Sequence, residues 1–456
     1  MPVPTNFLSA SATIALAAAG EVTVTDIVTD HIVRLEERDP AIRAWSYFEK
    51  DQVLAEAARL DAIPKDRRGP LHGAIIGVKD IISFPTQHYS RKPGGGQPSE
   101  DAACVAILRA AGAVIFGKNS TPDFIGKGPC TNPYDTSHTP GGSSSGSAAA
   151  VCDFQCHISI GTQTLGSVIR PAAFCGVLAM KPTYGTISPE GVKPTSWTLD
   201  TIGFLARVVE DMELIAHVLR ISNGPSIPKP LSDCRFGFLR TPQWAAKGDP
   251  SPELQQAWND AKAILARHGA SVVEIDLPSH FGGCVDERNA RVVQAEGSIT
   301  FLAEHSTASE SLNATVRGWM QREAEANRAT YLSAIDEFAT LRPAMDRLLS
   351  DFDAVITPSV PGQAPMGLGS TGEARYNIMW TALHQPCVNV PGFASHEGMP
   401  VSLSLVAPRT RKLMDRFQDS RLLSVASVVA PVWAEVGKGH LRPLPGDESS
   451  SHSLAN

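Results

Sequence analysis

Residues 141–167 read GGSSSGSAAAVCDFQCHISIGTQTLGS, and the local character of the chain changes three times within that stretch. Upstream of Ser147, back to Thr131, the chain is almost wholly Pro, Gly, Ser, Thr and Asn, which reads as loop. Ala148 to Val151 are helix formers, and Val151 to Ile160 has strand character before a second glycine-rich run from Gly161 to Ser167. The pattern continues outward. Ala74 to Val78 is a short apolar strand leading into Lys79 and Asp80, Ala102 to Ala111 a helix, and Ala113 to Phe116 a second buried strand. Strands alternating with helices predict an α/β core.

The small residues stand where backbone meets ligand. A serine hydroxyl is a weak nucleophile until a base takes its proton, and lysine serves as that base only when burial keeps its amine neutral. Glycines beside such a serine let backbone N–H groups approach a developing oxyanion. Three segments supply these parts in order: Gly-Val-Lys79-Asp, Gly-Gly-Ser143-Ser-Ser-Gly-Ser, and Gly-Thr-Gln-Thr-Leu-Gly-Ser167.

Competing motifs fail on context. Gly142, Ser144 and Gly146 spell Gly-x-Ser-x-Gly, but a nucleophile elbow needs a buried strand before it, and Asp135 to Pro140 is polar loop. Gly112, Gly117 and Lys118 imitate a phosphate-binding loop, yet Asn119 replaces its Ser/Thr and a strand fills its interior. Ser226 and Lys229 form Ser-x-x-Lys, interrupted by Pro228. Cys152, Cys156 and His157 suggest a metal corner without a second ligand pair, so they read as buried structural groups.

With these residues in place, the chain resembles the amidase signature family of Ser-Ser-Lys hydrolases. The resemblance is densest from Leu71 to about Arg207, resumes at Asp353 to Val406, and is most specific in Gly141 to Ala150, Gly161 to Ser167 and Phe174-Cys175-Gly176-Val177 through Lys181-Pro182-Thr183-Tyr184-Gly185. It implies one large α/β domain over residues 1–440, with a mixed, mainly central sheet covered by helices on both faces. Within it would lie a catalytic core at about 71–207, a variable helical substrate wall at about 221–350 and a return to the core at 353–406. Residues 441–456 are expected to be a flexible tail.

The resemblance also implies roles: Ser167 the nucleophile, Ser143 the bridging serine, Lys79 the base, and the backbone N–H groups of Thr164, Leu165, Gly166 and Ser167 the oxyanion hole. It implies a cis peptide between Gly142 and Ser143. Three positions depart from the family pattern. Gln163 stands where Asp is frequent, Leu165 where Gly is frequent, and Ile169 then Arg170 where Arg falls two residues after the nucleophile. A changed support around an intact nucleophile is expected, with Leu165 narrowing or greasing the pocket.

The implied activity is hydrolysis of carboxylic amide C–N bonds in small apolar or aryl substrates, extending to carbamates (urethanes) and esters, as in aryl acylamidases and urethanases. An alternative is the glutamine-hydrolysing subunit of a tRNA-dependent amidotransferase. Such subunits usually follow Lys-Pro-Thr-Tyr-Gly with Arg and a Ser-Arg-Tyr-Gly stretch, whereas Thr186-Ile187-Ser188-Pro189 follows here. No cofactor and no metal are implied.

Composition sets the bounds. At 456 residues the chain can bury a large core, and 43% hydrophobic with 19% charged residues is ordinary for a globular enzyme. A formal charge of −7 gives no general attraction to nucleic acid or anionic lipid, so the expected partner is a small molecule, with the chain a monomer or homo-oligomer. Eight dispersed cysteines read as reduced thiols. Ala10 to Ala19 lacks a preceding basic residue and reads as a helix rather than a signal peptide. No run reaches the ~18 apolar residues of a membrane helix, and a cytoplasmic location is expected.

Overall fold

Along Ile75–Lys79 successive side chains leave on opposite sides. Ile75 joins an apolar cluster with Val28, Val53 and Val114, whereas Ile76 and Val78 join one with Val105, Ile158 and Phe204. A strand buried on both faces needs a helix layer over each. The computed structural model supplies both layers; it describes residues 3–85, 98–122, 130–222, 227–244, 248–281, 284–312, 314–321, 328–410 and 418–437.

The strands are β1 (Trp45–Tyr47), β2 (Ile75–Lys79), β3 (Val114–Asn119), β4 (Ile158–Gln163), β5 (Leu178–Lys181), β6 (Thr201–Ala206), β7 (Arg235–Leu239), β8 (Ser271–Ile275), β9 (Ala354–Pro358), β10 (Cys387–Ala394) and β11 (Pro400–Val406). They form one sheet in the order β1-β3-β2-β4-β6-β5-β10-β11-β9-β7-β8. The sheet is mixed: β2 runs parallel to β3 and β4, β7 runs parallel to β8 and β9, and antiparallel pairs join the two parallel groups. Helices Ala103–Ala110, Val209–Val218, Pro252–Arg267 and Asp419–Gly437 cover one face. Helices Val24–Ile42, Lys50–Asp61, Ser145–Cys152, Cys284–Thr300 and Arg328–Leu349 cover the other. The chain is thus a single α/β domain built on a large mixed sheet flanked by helices.

Local signals set several boundaries. Thr23 and Asp26 form a capping box at the start of the helix Val24–Ile42, each side chain accepting the other's backbone N–H. That helix runs past Pro40 to Ile42. Proline costs it one donor near the end, and the turn still closes because Arg43 takes a left-handed conformation (φ 57°) and donates its N–H to the Asp39 carbonyl at 2.7 Å.

Two readings need correction. The strand expected over Val151–Ile160 begins only at Ile158 and runs on to Gln163, because Asp153 and Gln155 are drawn into buried polar contacts. Asp153 receives Arg34 and Arg38, and Gln155 receives the Trp45 indole N–H at 2.6 Å. Residues 221–350, read as helical, also contribute β7 and β8 at the sheet edge. The Ser226 of the Ser-x-x-Lys match and the 441–456 tail lie outside the described residues.

Candidate active site

Parallel strands β2 and β4 pair Ile76 with Ile158 and Val78 with Ile160, so their carboxyl ends carry Lys79 and Thr162 to one place. Open α/β sheets bind ligands at such ends. The Lys79 side chain, 1% exposed, donates to Ser143 Oγ at 2.7 Å, to Thr162 Oγ1 at 2.8 Å and to the Thr162 carbonyl at 3.3 Å. Three acceptors satisfy an amine without supplying a counter-charge in contact. Burial therefore brings the Lys79 pKa down to about 7; the negative charge of Asp200 opposes the shift and the positive charge of Arg170 adds to it.

Ser143 begins a polar turn held by near and distant bonds. Its carbonyl accepts the Thr121 hydroxyl at 2.7 Å, and Ser145 Oγ donates to the Gly141 carbonyl at 2.6 Å. The Gly142–Ser143 peptide is cis. Gly141 takes φ +82°, and a Cβ there would lie 2.8 Å from Pro171 Cα, so only glycine fits without displacement. The two serine-bearing segments are tied directly, because Ser144 N–H donates to the Ser167 carbonyl at 3.1 Å. Gly161 makes room for this: a Cβ on it would meet Ser144 Oγ at 2.6 Å.

Ser167 is half-buried at the end of the loop that leaves β4. Across that loop the backbone N–H groups of Thr164, Leu165, Gly166 and Ser167 have no acceptor among the described residues. Donors left open on a serine-bearing turn can receive an oxygen that gains negative charge. Thr164 is anchored from its side chain, its hydroxyl donating to Asp200 Oδ1 at 2.5 Å. The other Asp200 oxygen accepts Thr195 N–H at 2.7 Å and Ser196 N–H at 3.1 Å. Burial raises the Asp200 pKa, and these three donors together with Lys79 pull it back.

The departures from the family pattern have distinct jobs. The Gln163 side-chain oxygen accepts the N–H groups of Val168 (2.9 Å) and Ile169 (3.0 Å), and its amide donates to Thr381 Oγ1 at 3.0 Å. Arg170 donates from Nε (3.0 Å) and Nη2 (2.6 Å) to the Gly142 carbonyl and from Nη1 to the Gly372 carbonyl. The support around the turn is thus rebuilt from an amide and a displaced arginine. Leu165, expected to narrow or grease the pocket, is half-buried and packs against the apolar cluster that includes Ile169, Met379 and Trp380.

A cavity of about 260 Å³ opens beside Thr162 and Asp200. Its walls include Ile187, Val192, Trp197 and Ile202, with Tyr184 the main polar body besides Asp200. Sequence reasoning named neither Thr162, Asp200 nor Thr381 as part of this site; no local pattern marks them.

Elsewhere the suspected metal corner dissolves into structural contacts. His157 Nδ1 accepts Ile75 N–H at 3.1 Å while Nε2 faces His31 Nε2 at 3.2 Å, and Cys152 and Cys156 are buried free thiols. No group of three or more His, Cys, Asp or Glu able to hold a metal occurs among the described residues. Among them too, no helix is long and apolar enough to cross a membrane.

The chain is similar to known proteins along most of its length. The model of the Amidase family matches residues 26–414. The A subunit of the glutamyl-tRNA(Gln) amidotransferase from Chloroflexus aggregans is 31% identical, over 88% of this chain and 93% of its own length. Among solved structures, a protein described as an amidase superposes with TM-score 0.82 at 28% identity, covering 94% of this chain and 99% of its own. The peptide amidase of Stenotrophomonas maltophilia superposes with TM-score 0.77 at 26% identity, covering 97% and 99%.

Proposed function

The chain belongs to the amidase family, and from that premise we propose that it hydrolyses carboxylic amide C–N bonds through an acyl-enzyme on Ser167. The observation that carries this reading is the contact of a buried, low-pKa lysine with Ser143, one residue before the segment bonded to Ser167. Neutral Lys79 accepts a proton from Ser143 as Ser143 takes one from Ser167, and Ser167 Oγ attacks the amide carbon. The carbonyl oxygen becomes an oxyanion received by the N–H groups of residues 164–167. The proton returns to the leaving nitrogen as the C–N bond breaks. Water then attacks the acyl carbon, losing its proton along the same relay, and Ser167 leaves with a proton restored to its oxygen.

The apolar walls beside Asp200 support small apolar or aryl amides as substrates, and carbamate and ester carbonyls pass through the same tetrahedral route. The test is release of aniline from acetanilide and of ammonia from benzamide by wild type and Ser167→Ala at pH 8 without added metal. Loss of turnover in the variant supports the acyl-enzyme; full activity in the variant sinks it.

A second reading is favoured by one specific observation, the 31% identity to the A subunit of an amidotransferase. In that case glutamine is the amide and partner subunits are required. Thr186-Ile187-Ser188-Pro189 after Tyr184-Gly185 and the apolar cavity wall speak for the first reading. Glutaminase activity appearing only with co-purified partners would reverse that order.

A further inference from the structure

Trp197 lies on the cavity wall with 43% of its surface exposed, yet its backbone is pinned. The Tyr331 hydroxyl, close to its indole, donates to Glu296 at 2.8 Å. Glu296 is fully buried, a costly place for a carboxylate unless its oxygens are satisfied. The residues on either side of Trp197 satisfy it: Ser196 donates its hydroxyl at 2.5 Å, and Thr198 its hydroxyl at 2.8 Å and its N–H at 3.1 Å. Tyr184, which also lines the cavity, donates its hydroxyl to the Trp197 carbonyl at 2.6 Å. The backbone that carries this exposed aromatic is therefore held by one buried acid on either side and by Tyr184 at its own carbonyl.

An exposed aromatic face on a cavity costs hydrophobic stabilisation in the empty protein. Once fixed, it binds an apolar planar group with little further loss of freedom. We propose that Trp197 is a specificity-determining residue that receives the planar apolar group of the substrate, with Glu296 and Tyr331 as positioning residues that hold the segment carrying it. The assignment rests on the hydrolase reading above.

The test compares acetanilide, benzamide and acetamide, which carry an aryl group on the amine side, on the acyl side and on neither. Trp197→Ala should raise KM for at least one aryl amide by about tenfold or more while acetamide turnover stays within about twofold. Trp197→Phe should restore most of the loss, and Tyr331→Phe should raise KM for the same aryl amide with kcat nearly kept. Equal losses for aryl amide and acetamide, or none, overturn the assignment, and a matching drop in Tm would mark a merely structural role. Calorimetric binding of benzamide to wild type and Trp197→Ala separates the two readings. If neither protein hydrolyses any amide but benzamide binds about tenfold more weakly to the variant, the wall assignment stands and the hydrolase reading falls. Equal benzamide affinity with no turnover removes both.

Discussion

Arg170 reaches back over twenty-eight positions to grip the carbonyl of Gly142, donating to it from both Nε and Nη2. The guanidinium is buried among carbonyl acceptors, which lowers its pKa to about 10 and leaves it charged in neutral solution. Removing it leaves the residue before Ser143 without its two charged donors. Arg170→Met should lower kcat/KM for acetanilide by roughly a hundredfold, the scale of a misplaced reacting group. Circular dichroism should show the fold intact; undiminished kcat/KM would exclude a role in placing Ser143.

The rate should follow the charge state of Lys79. Its amine acts as a base only when neutral, so kcat/KM should climb as pH rises through about 7 and level off above it. Asp200 raises the Lys79 pKa, so removing its negative charge in Asp200→Asn moves the inflection to lower pH even though the rate itself falls. A pH–rate profile of both proteins checks the sign, and an inflection moving upward in the variant contradicts it.

The same lysine should cost stability. Its folded pKa of about 7 lies below the ordinary 10.5, so between those values the unfolded chain binds more protons and folding becomes more favourable as pH rises. Below about pH 7 the penalty is at its full extent. Urea unfolding should show wild type gaining stability from pH 7 to pH 9, with an upper slope of about 1.4 kcal/mol per pH unit from this group. Lys79→Met should lack that gain, and should be inactive yet no less stable than wild type at pH 6.

Gln163→Leu should strike the turn after the candidate nucleophile. Two N–H groups, of Val168 and Ile169, lose the oxygen they share, and Thr381 loses a donor. Leaving such buried groups unpaired costs about 1–3 kcal/mol. The urea midpoint should fall accordingly, and Thr381→Val should fall less, because it leaves both N–H groups capped.

Acid should open the molecule at its histidine pair. Burial holds His31 down at about 3, and burial with the neighbouring His31 and Arg207 charges holds His157 well below 6.5. Both folded values lie under the unfolded 6.5, so their contribution is complete above that pH and is lost as pH falls towards 3. His31→Phe should flatten the fall in urea midpoint between pH 6 and pH 4; an unchanged slope would remove His31 from the account.

Lys79, Ser143 and Ser167 stand out in the sequence as candidates because each sits inside a glycine-rich run, and such runs are local signals. Thr164 and Asp200 are thirty-six positions apart and Gln163 and Thr381 over two hundred, so their bonds exist only after the sheet has formed. Strand β6 escaped notice because it is buried along its whole length and has no alternation to read. β7 and β8 are hidden by the long helices around them, and their identity comes from pairing, β7 with β9 and β8 with β7, rather than from their own composition. The neighbours of Leu165 in the apolar cluster come largely from remote parts of the chain, so its packing has no local signal either.

The anchoring of the Trp197 loop to Glu296 separates two kinds of change available to this protein. The proposed proton-handling groups hang from the end of β2, the segment leading into the helix Ser145–Cys152 and the turn after β4, whereas the cavity wall is braced by Glu296 and Tyr331 on helices about a hundred or more positions downstream. Drift in those helices can retune what enters the cavity without disturbing the proposed proton relay. A mutational library confined to the wall and its braces would therefore search for new substrates at little hazard to turnover, whereas the same number of changes around residues 141–170 would mostly yield silent proteins.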